Sequence, residues 1–93
     1  MELEWNADKA QANVAKHGVS FEEAAEVFGD PLAITFDDPD HSALEARYLT
    51  FGTSRANRFL VVAHTSRGDT IRLISARPMM SAERKQYERY GKT

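Results

Sequence analysis

Residues 47–77 read RYLTFGTSRANRFLVVAHTSRGDTIRLISAR, and most of the predicted sheet lies in this segment. Aromatic and β-branched residues dominate three segments of it, and the segments between them are short and polar. The pattern predicts three strands joined as antiparallel hairpins: Arg47–Thr53, Arg58–His64 and Thr70–Arg77. The middle strand is apolar at every position from Phe59 to Ala63, which predicts a central strand covered on both faces. Gly68 is predicted to be the left-handed residue of the second turn.

The segment upstream of these strands carries a strong helix signal. Ser20-Phe21-Glu22-Glu23 is a capping box, in which Ser20 caps the helix and the Glu23 side chain reaches back to it. Apolar residues follow at helical spacing and predict a buried stripe: Phe21, Ala24, Ala25 and Phe28. Gly29-Asp30-Pro31 ends this helix, and a strand is predicted over Leu32–Phe36.

An earlier helix is predicted from Ala7 to His17. Asn6 is a favourable residue for the N-cap, and Gly18 can take the left-handed conformation that ends a helix. We expect Ala10 and Val14 to face the core from this helix.

The two ends of the chain complete the order of elements. Leu3 and Trp5 alternate with acidic residues, as in a short edge strand, and Ser81 is expected to cap a third helix over Ala82–Tyr90. The predicted order is β-α-α-β-β-β-β-α. The predicted fold class is α+β: an antiparallel sheet with two N-terminal helices packed on it and a C-terminal helix beside the last strand.

Length and composition bound the class of protein. The chain has 93 residues and no cysteine, so we expect one domain, residues 1–93, that holds together by packing rather than by disulfides. The first residues, MELEW, are acidic where a secretory signal would be basic, and no window reaches the apolar length of a membrane span. A cytoplasmic protein is therefore expected.

Charge is divided unevenly along the chain. Residues 1–46 contain two lysines and eleven acidic residues, whereas residues 47–93 contain ten basic residues, eight of them arginine, and three acidic residues. Because arginine suits bidentate binding of phosphate groups, the second half is a candidate for contact with a polyanion. The alternative is that the acidic helices fold back onto the basic sheet and neutralise it.

Sequence motifs for a bound cofactor are missing. The chain contains no glycine-rich phosphate loop, no dinucleotide fingerprint and no HExxH pair. Its three histidines, His17, His41 and His64, are widely separated on different predicted elements, and no cysteine can complete a metal site. We therefore expect neither a cofactor nor a metal.

The basic residues of the strands suggest RNA cleavage without a metal. In that reaction a 2′-hydroxyl attacks the adjacent phosphate, and arginines stabilise the charge that develops on the phosphoryl oxygens. Arg47, Arg72 and Arg77 are the candidate phosphate clamp, and His64 or His17 is the candidate for proton transfer. Regular alternation places Arg72 and Arg77 on opposite faces of the sheet, unless a bulge intervenes or Arg77 lies beyond the end of the strand.

Each of these residues also has a purely structural explanation. His17 and Lys16 are placed to complement the C-terminus of a helix. His64 ends an apolar strand, where a half-buried histidine with a satisfied hydrogen bond is a common arrangement. Arg72 and Arg77 can pair with the acidic residues of the first two helices.

Three stretches resemble the BrnT toxins. They are Glu4-Trp5-Asn6 with Lys9; the run from Lys16 to Ala24 with Val27-Phe28 and Asp30-Pro31; and the run from Ile71 to Arg77 with Glu83-Arg84 and Tyr87. A departure follows Arg77, where Pro78-Met79-Met80 replaces the basic or small residue expected from the resemblance. The resemblance implies the toxin half of a type II toxin–antitoxin pair, with a RelE-like fold and endoribonuclease activity.

The resemblance also implies partners and site residues. Such a toxin is expected to bind RNA and a small BrnA-like antitoxin, whose ribbon-helix-helix part binds operator DNA so that the complex represses its own operon. The catalytic candidates inside the matching stretches are Lys16, Arg72 and Arg77, and those from less distinctive stretches are Arg47 and His64. The residues assigned to RNA binding are His17, Arg58, Arg84 and Tyr87. The alternative is a non-catalytic antitoxin-binding module that acts as a transcriptional co-repressor.

Overall fold

The computed structural model describes residues 2–41 and 45–91. These residues form five strands: β1 (Glu2–Glu4), β2 (Ile34–Asp37), β3 (Arg47–Thr53), β4 (Phe59–Arg67) and β5 (Thr70–Pro78). They also form three α-helices: α1 (Ala7–His17), α2 (Phe21–Ala25) and α3 (Ser81–Gly91). Two 3₁₀ helices flank β2: Glu26–Gly29 and Pro39–His41. The α+β class is confirmed, and none of the described helices is long and apolar enough to cross a membrane.

The five strands form one sheet in the order β1-β5-β4-β3-β2. The three pairs β2/β3, β3/β4 and β4/β5 are antiparallel, whereas β1 runs parallel to β5, with Leu3 opposite Ile71. The sheet is therefore mixed, and the expectation of a purely antiparallel sheet is wrong. Local sequence does not set the direction of a three-residue edge strand. Leu3 and Trp5 pack onto the core from this edge of the sheet.

β4 lies at the centre of the sheet, as its apolar sequence predicts. Leu60 and Val62 are buried against one face and Val61 against the other. The strand runs further than expected, to Arg67, because a two-residue turn that begins at Gly68 connects it to β5. Gly68 has a φ angle of 62°, which confirms its predicted left-handed conformation.

The bounds and caps of α1 are as predicted. The Asn6 side chain accepts a hydrogen bond from the Lys9 backbone N–H at 3.0 Å, and Gly18 is left-handed with a φ angle of 68°. The inward face of the helix differs from the prediction. Val14 is 48% exposed and does not face the core, whereas Asn13 is buried.

Asn13 is buried because its side chain hydrogen-bonds the backbone of β5 at the edge of the sheet. β1 pairs with β5 only as far as Arg72, and α1 covers the edge of β5 beyond that point. The Asn13 Oδ1 atom accepts a hydrogen bond from the Ala76 N–H at 3.0 Å, and its Nδ2 atom donates to the carbonyls of Ala76 at 2.8 Å and Val19 at 2.9 Å. The side-chain amide thus takes the place of a neighbouring strand, since buried backbone groups need partners.

α2 begins at its predicted cap. The Ser20 Oγ atom accepts a hydrogen bond from the Glu23 N–H at 3.0 Å. The Glu23 carboxylate does not reach back to the cap as expected. It accepts hydrogen bonds from Arg58 and from the Ser54 hydroxyl instead, and so fastens α2 to the start of β4.

Asp30 follows the 3₁₀ helix Glu26–Gly29 and links it by hydrogen bonds to the sheet and to α3. Its Oδ1 atom accepts a hydrogen bond from the Leu32 N–H at 2.9 Å, and this turn delays the start of β2 to Ile34. Its Oδ2 atom accepts from the Thr53 N–H at 2.9 Å and from the Tyr87 hydroxyl at 2.6 Å. The C-terminal helix is therefore held by a buried tyrosine that reaches across the sheet.

Apolar clusters lie on both faces of the sheet. α1 and α2 cover one face, named here the helical face, which buries these residues: Val19, Phe21, Ala24, Val27, Leu60, Val62, Leu73 and Ala76. α3 crosses part of the opposite face, where Phe51, Val61 and Tyr87 form a second cluster. α3 therefore lies over β3 and β4, and the expected position beside the last strand is wrong.

Candidate active site

A β-bulge in β5 decides which side chains share a face. Ala63 of β4 lies opposite Ser75, but the next residue, His64, lies opposite Leu73. Ile74 is therefore an extra residue with no opposite residue on β4. Because successive side chains of a strand point to opposite faces, one extra residue exchanges the faces of every residue that follows.

The bulge places Arg72 and Arg77 on the same face of the sheet. Arg72 lies opposite Thr65 and Arg77 opposite Val61, and these two positions of β4 point to the same side. Arg47, on the strand β3 that pairs with the other edge of β4, also lies opposite Thr65 and so shares this face. We name the surface that carries Arg47, Arg72 and Arg77, opposite the helical face, the arginine face. In a regular strand the two arginines would lie on opposite faces, and of the alternatives considered in the sequence analysis a bulge is the one that brings them together.

Carboxylates from both ends of the chain hold two of these arginines. The Arg72 Nη1 atom donates to Glu4 Oε2 at 3.0 Å. Arg77 donates to Glu83 from Nη1 at 2.7 Å and from Nη2 at 2.8 Å, and this pairing raises the pKa of Arg77 and lowers the pKa of Glu83. The partners come from β1 and α3, so the expectation that the first two helices supply them is wrong. Within the described residues, the Nε atoms of Arg72 and Arg77 form no hydrogen bond.

A groove of about 280 Å³ lies between α1 and the edge of β5. Lys9, Lys16 and His17 line it from the helix, and Ile74 and Ser75 line it from the strand. By the register of β5, the Ser75 side chain belongs to the arginine face. The groove therefore places Lys16 and His17 at the border of the arginine face. Two cationic side chains and a histidine face the strand there, and no acidic side chain lies among the described residues that line the groove.

His64 lies on the helical face, away from the arginines. It is 5% exposed, and its ring packs against Tyr48 and Phe28. Its Nε2 atom lies 2.7 Å from the Thr50 hydroxyl, whereas its Nδ1 atom forms no hydrogen bond within the described residues. Burial lowers the pKa of His64 to about 4, so the ring is neutral at pH 7. This environment favours a structural histidine over the predicted catalytic one.

Protonation of His64 is expected to destabilise the fold in acid. A histidine in an unfolded chain titrates near pH 6.5, so the unfolded state takes up a proton first as the pH falls. The contribution of the neutral ring to the free energy of unfolding is fully present above about pH 6.5. It decreases by about 3 kcal/mol as the pH falls to about 4. Urea unfolding of the wild type and of His64→Gln tests this. The stability advantage of the wild type should shrink by that amount between pH 7 and pH 4, and a constant advantage would argue against burial of a neutral His64.

The residues predicted to bind RNA are spread over different parts of the fold. Arg58 is fixed by Glu23, with 2.7 Å between Nη2 and Oε1, at the end of α2. Arg84 lies 3.9 Å above an aromatic ring of β4, and Tyr87 is buried beneath α3. Of these predicted residues, His17 borders the arginine face through the groove, and Arg84 and Tyr87 belong to α3, which crosses part of the same face.

The three histidines remain apart. His17 borders the groove, His64 lies inside the helical face, and the side chain of His41 lies outside the described part of the structure. Among the described residues, no three side chains of His, Cys, Asp or Glu are grouped so as to hold a metal ion.

Sequence reasoning missed four residues of this site. Lys9 lines the groove, Ser75 joins the groove to the arginine face, and Glu4 and Glu83 hold the arginines. The seven-residue spacing of Lys9 and Lys16 on one side of α1 was a usable signal for the groove. The local sequence could not predict which face of the sheet carries the Ser75 side chain, because that face depends on the bulge.

The fold and this site define a class of protein: a small α+β domain whose sheet packs two helices on one face and carries arginines beside a third helix on the other. A family model described as "Ribonuclease toxin, BrnT, of type II toxin-antitoxin system" matches residues 5–83. The chain therefore belongs to the BrnT family of ribonuclease toxins. Membership of a type II toxin–antitoxin family implies an antitoxin partner.

A solved structure supports the fold. The chain is similar to the crystal structure of the Brucella abortus ribonuclease toxin BrnT, with a TM-score of 0.68 and 23% sequence identity. The match covers 87% of this chain and 99% of that one. At this level of identity the similarity shows the fold alone. A search of curated protein sequences finds no match.

Proposed function

We propose that this chain is a single-domain endoribonuclease toxin of the cytoplasm that cuts RNA at its arginine face without a metal. As a RelE-like toxin it would stop translation by cleaving RNA. The observation that carries the proposal is the bulge in β5, which gathers Arg72 and Arg77 on the face that also carries Arg47. The groove with Lys16 and His17 borders this face.

The groups at this face match the demands of RNA cleavage by the 2′-hydroxyl. Charge accumulates on the phosphoryl oxygens as the 2′-oxygen attacks, and guanidinium groups held in place stabilise it. Arg72 and Arg77 are held by carboxylates and keep their Nε atoms for the phosphate, so little reorganisation is needed. His17 is the histidine at the border of this face, and it can exchange a proton with the reacting oxygens.

The proposed partner is a BrnA-like antitoxin with a ribbon-helix-helix DNA-binding part. Family membership supports an antitoxin, and the arginine face offers a surface on which an acidic segment of that antitoxin competes with RNA. Binding of this kind would neutralise the toxin. The DNA-binding part would carry the complex to operator DNA.

A non-catalytic antitoxin-binding module is the second candidate function. It is favoured by the two ion pairs of the arginine face, because Arg72 and Arg77 already bind carboxylates in the free chain. The same guanidinium groups can donate hydrogen bonds to carboxylates of an acidic antitoxin segment. In that case the chain would act as a co-repressor and leave RNA intact.

The two functions differ in what the purified chain does to RNA in EDTA. We expect cleavage of an RNA oligonucleotide that leaves 2′,3′-cyclic phosphate and 5′-hydroxyl ends. The matched control is an oligonucleotide of the same sequence with 2′-O-methyl groups, which has no attacking hydroxyl and should remain whole. Intact RNA would favour the binding module, and equal cleavage of both substrates would overturn the 2′-hydroxyl mechanism.

A further inference from the structure

Glu4 brings a carboxylate to the arginine face. Its backbone lies opposite Arg72 in the parallel pairing of β1 with β5, so the two side chains share a face. The Glu4 Oε2 atom accepts the hydrogen bond from Arg72 Nη1 at 3.0 Å. Its Oε1 atom has no hydrogen bond within the described residues, and the side chain is 42% exposed. One oxygen is therefore anchored and the other is open to a ligand.

Two other carboxylates that bind arginines near this face, Glu83 and Glu45, have both oxygens engaged. Both oxygens of Glu83 bind Arg77, its side chain is 16% exposed, and it also accepts from a backbone N–H at the start of α3. Both oxygens of Glu45 bind Arg67. Among the described residues, Glu4 thus combines an open oxygen with direct contact to an arginine of the clamp.

Charged groups surround Glu4 from two strands. Arg72 contacts it from β5, and Arg67 lies near it at the end of β4. The pKa of Arg67 is raised mainly by its hydrogen bond with Glu45, and the Glu4 carboxylate adds a smaller effect at longer range. Glu2 lies two residues away on β1, so the same face carries a second carboxylate without an arginine contact in the described residues.

We propose that Glu4 is the proton acceptor of the cleavage reaction, an inference that rests on the proposed ribonuclease function. A phosphate that binds the free edge of the Arg72 guanidinium brings the neighbouring 2′-hydroxyl close to Glu4, because Glu4 contacts the same guanidinium. The open Oε1 atom takes the 2′ proton while the 2′-oxygen forms its bond to phosphorus. The bond from phosphorus to the 5′-oxygen breaks, and the 5′-oxygen takes a proton from the His17 imidazolium.

The arrangement separates the two proton-transfer groups along β5. Glu4 lies beside Arg72, and His17 lies beside Ser75 on the other side of the bulge. A carboxylate that gains a proton and an imidazolium that loses one leave the total charge of the site unchanged. Both groups return to their starting states by exchange with water, so the reaction needs no further reagent.

The test compares Glu4→Gln with Glu2→Gln, which removes the same charge from the same strand and face. Single-turnover and steady-state cleavage of an RNA oligonucleotide are measured in EDTA at pH 7. Glu4→Gln should lower kcat by about 100-fold or more with KM changed less than threefold, because general-base catalysis contributes about that much. Glu4→Asp should recover part of the rate, and Glu2→Gln should remain within about threefold of the wild type.

The outcomes separate this inference from the proposed function. Cleavage by the wild type together with near-normal cleavage by Glu4→Gln would overturn the role of Glu4 and leave the ribonuclease in place. A rise in KM with an unchanged kcat would also overturn it, since that pattern belongs to a residue that only positions Arg72. Failure of the wild type to cut RNA would overturn both.

Discussion

Replacing Arg72 and Arg77 together by alanine is expected to lower the rate of RNA cleavage by about 1,000-fold or more. Removal of one preorganised donor to a developing oxyanion costs about 100- to 1,000-fold in other enzymes, and two are removed here. The loss should appear mainly in kcat, because both guanidinium groups are held in place before the substrate binds. The measurement is single-turnover cleavage of an RNA oligonucleotide in EDTA.

A matched control tests whether RNA cleavage depends on the position of the positive charges or only on their number. Arg55→Ala/Lys85→Ala also removes two positive charges, from exposed positions that lie off the arginine strands. That variant should cut RNA within about threefold of the wild type at moderate salt, because exposed charges are screened. Thermal unfolding is recorded in parallel, since Arg77→Ala leaves the half-buried Glu83 carboxylate without its partner. Equal losses in the two variants would mean that general electrostatics, and not the arginine face, carries the activity.

Asn13→Ala is expected to lower the free energy of unfolding by about 4 kcal/mol. The substitution removes three buried hydrogen bonds at once and leaves the N–H and carbonyl of Ala76 and the carbonyl of Val19 without partners. Each buried group left unsatisfied costs about 1–3 kcal/mol, and alanine is too short to replace the amide. Urea unfolding at pH 7 measures the loss.

Two further substitutions define the cause of this effect. Gln11→Ala, on the exposed side of the same helix, should change stability by less than about 0.5 kcal/mol. Asn13→Asp keeps an acceptor for the Ala76 N–H but turns a carboxylate oxygen toward two carbonyls, so it should be at least as destabilising as alanine. A loss below about 1 kcal/mol for Asn13→Ala would mean that water replaces the amide and that α1 does not close the sheet through this residue.

The ends of the elements were predictable because short-range chemistry sets them. The Asn6 cap, the left-handed Gly18 and the Ser20 cap lie where the local sequence places them. The inward face of α1 was not predictable from its apolar residues. A helix that covers a sheet edge must satisfy backbone groups, so a buried Asn13 replaces the apolar Val14 that periodicity favours.

The candidate site was predictable in its residue types and not in its geometry. Arginines on β3 and β5 were expected to meet, but their shared face depends on the bulge at Ile74, which arises from pairing with β4 and has no marker in its own segment. The carboxylates of Glu4 and Glu83 come from the two ends of the chain and contact β5 only after the whole sheet and α3 have formed. Such long-range contacts leave no periodic signal.

In the proposed function, RNA binds and is cut at the arginine face. The most direct measurement is a titration of the ¹⁵N-labelled chain with a 2′-O-methyl RNA oligonucleotide, followed by backbone amide and arginine side-chain NMR shifts. We expect the largest changes at the arginines of this face, at Ser75 and at His17 across the groove, and the Nε signals of Arg72 and Arg77 should move. Changes concentrated on the outer surface of α1 and α2, with the arginine signals unmoved, would contradict this assignment of the site.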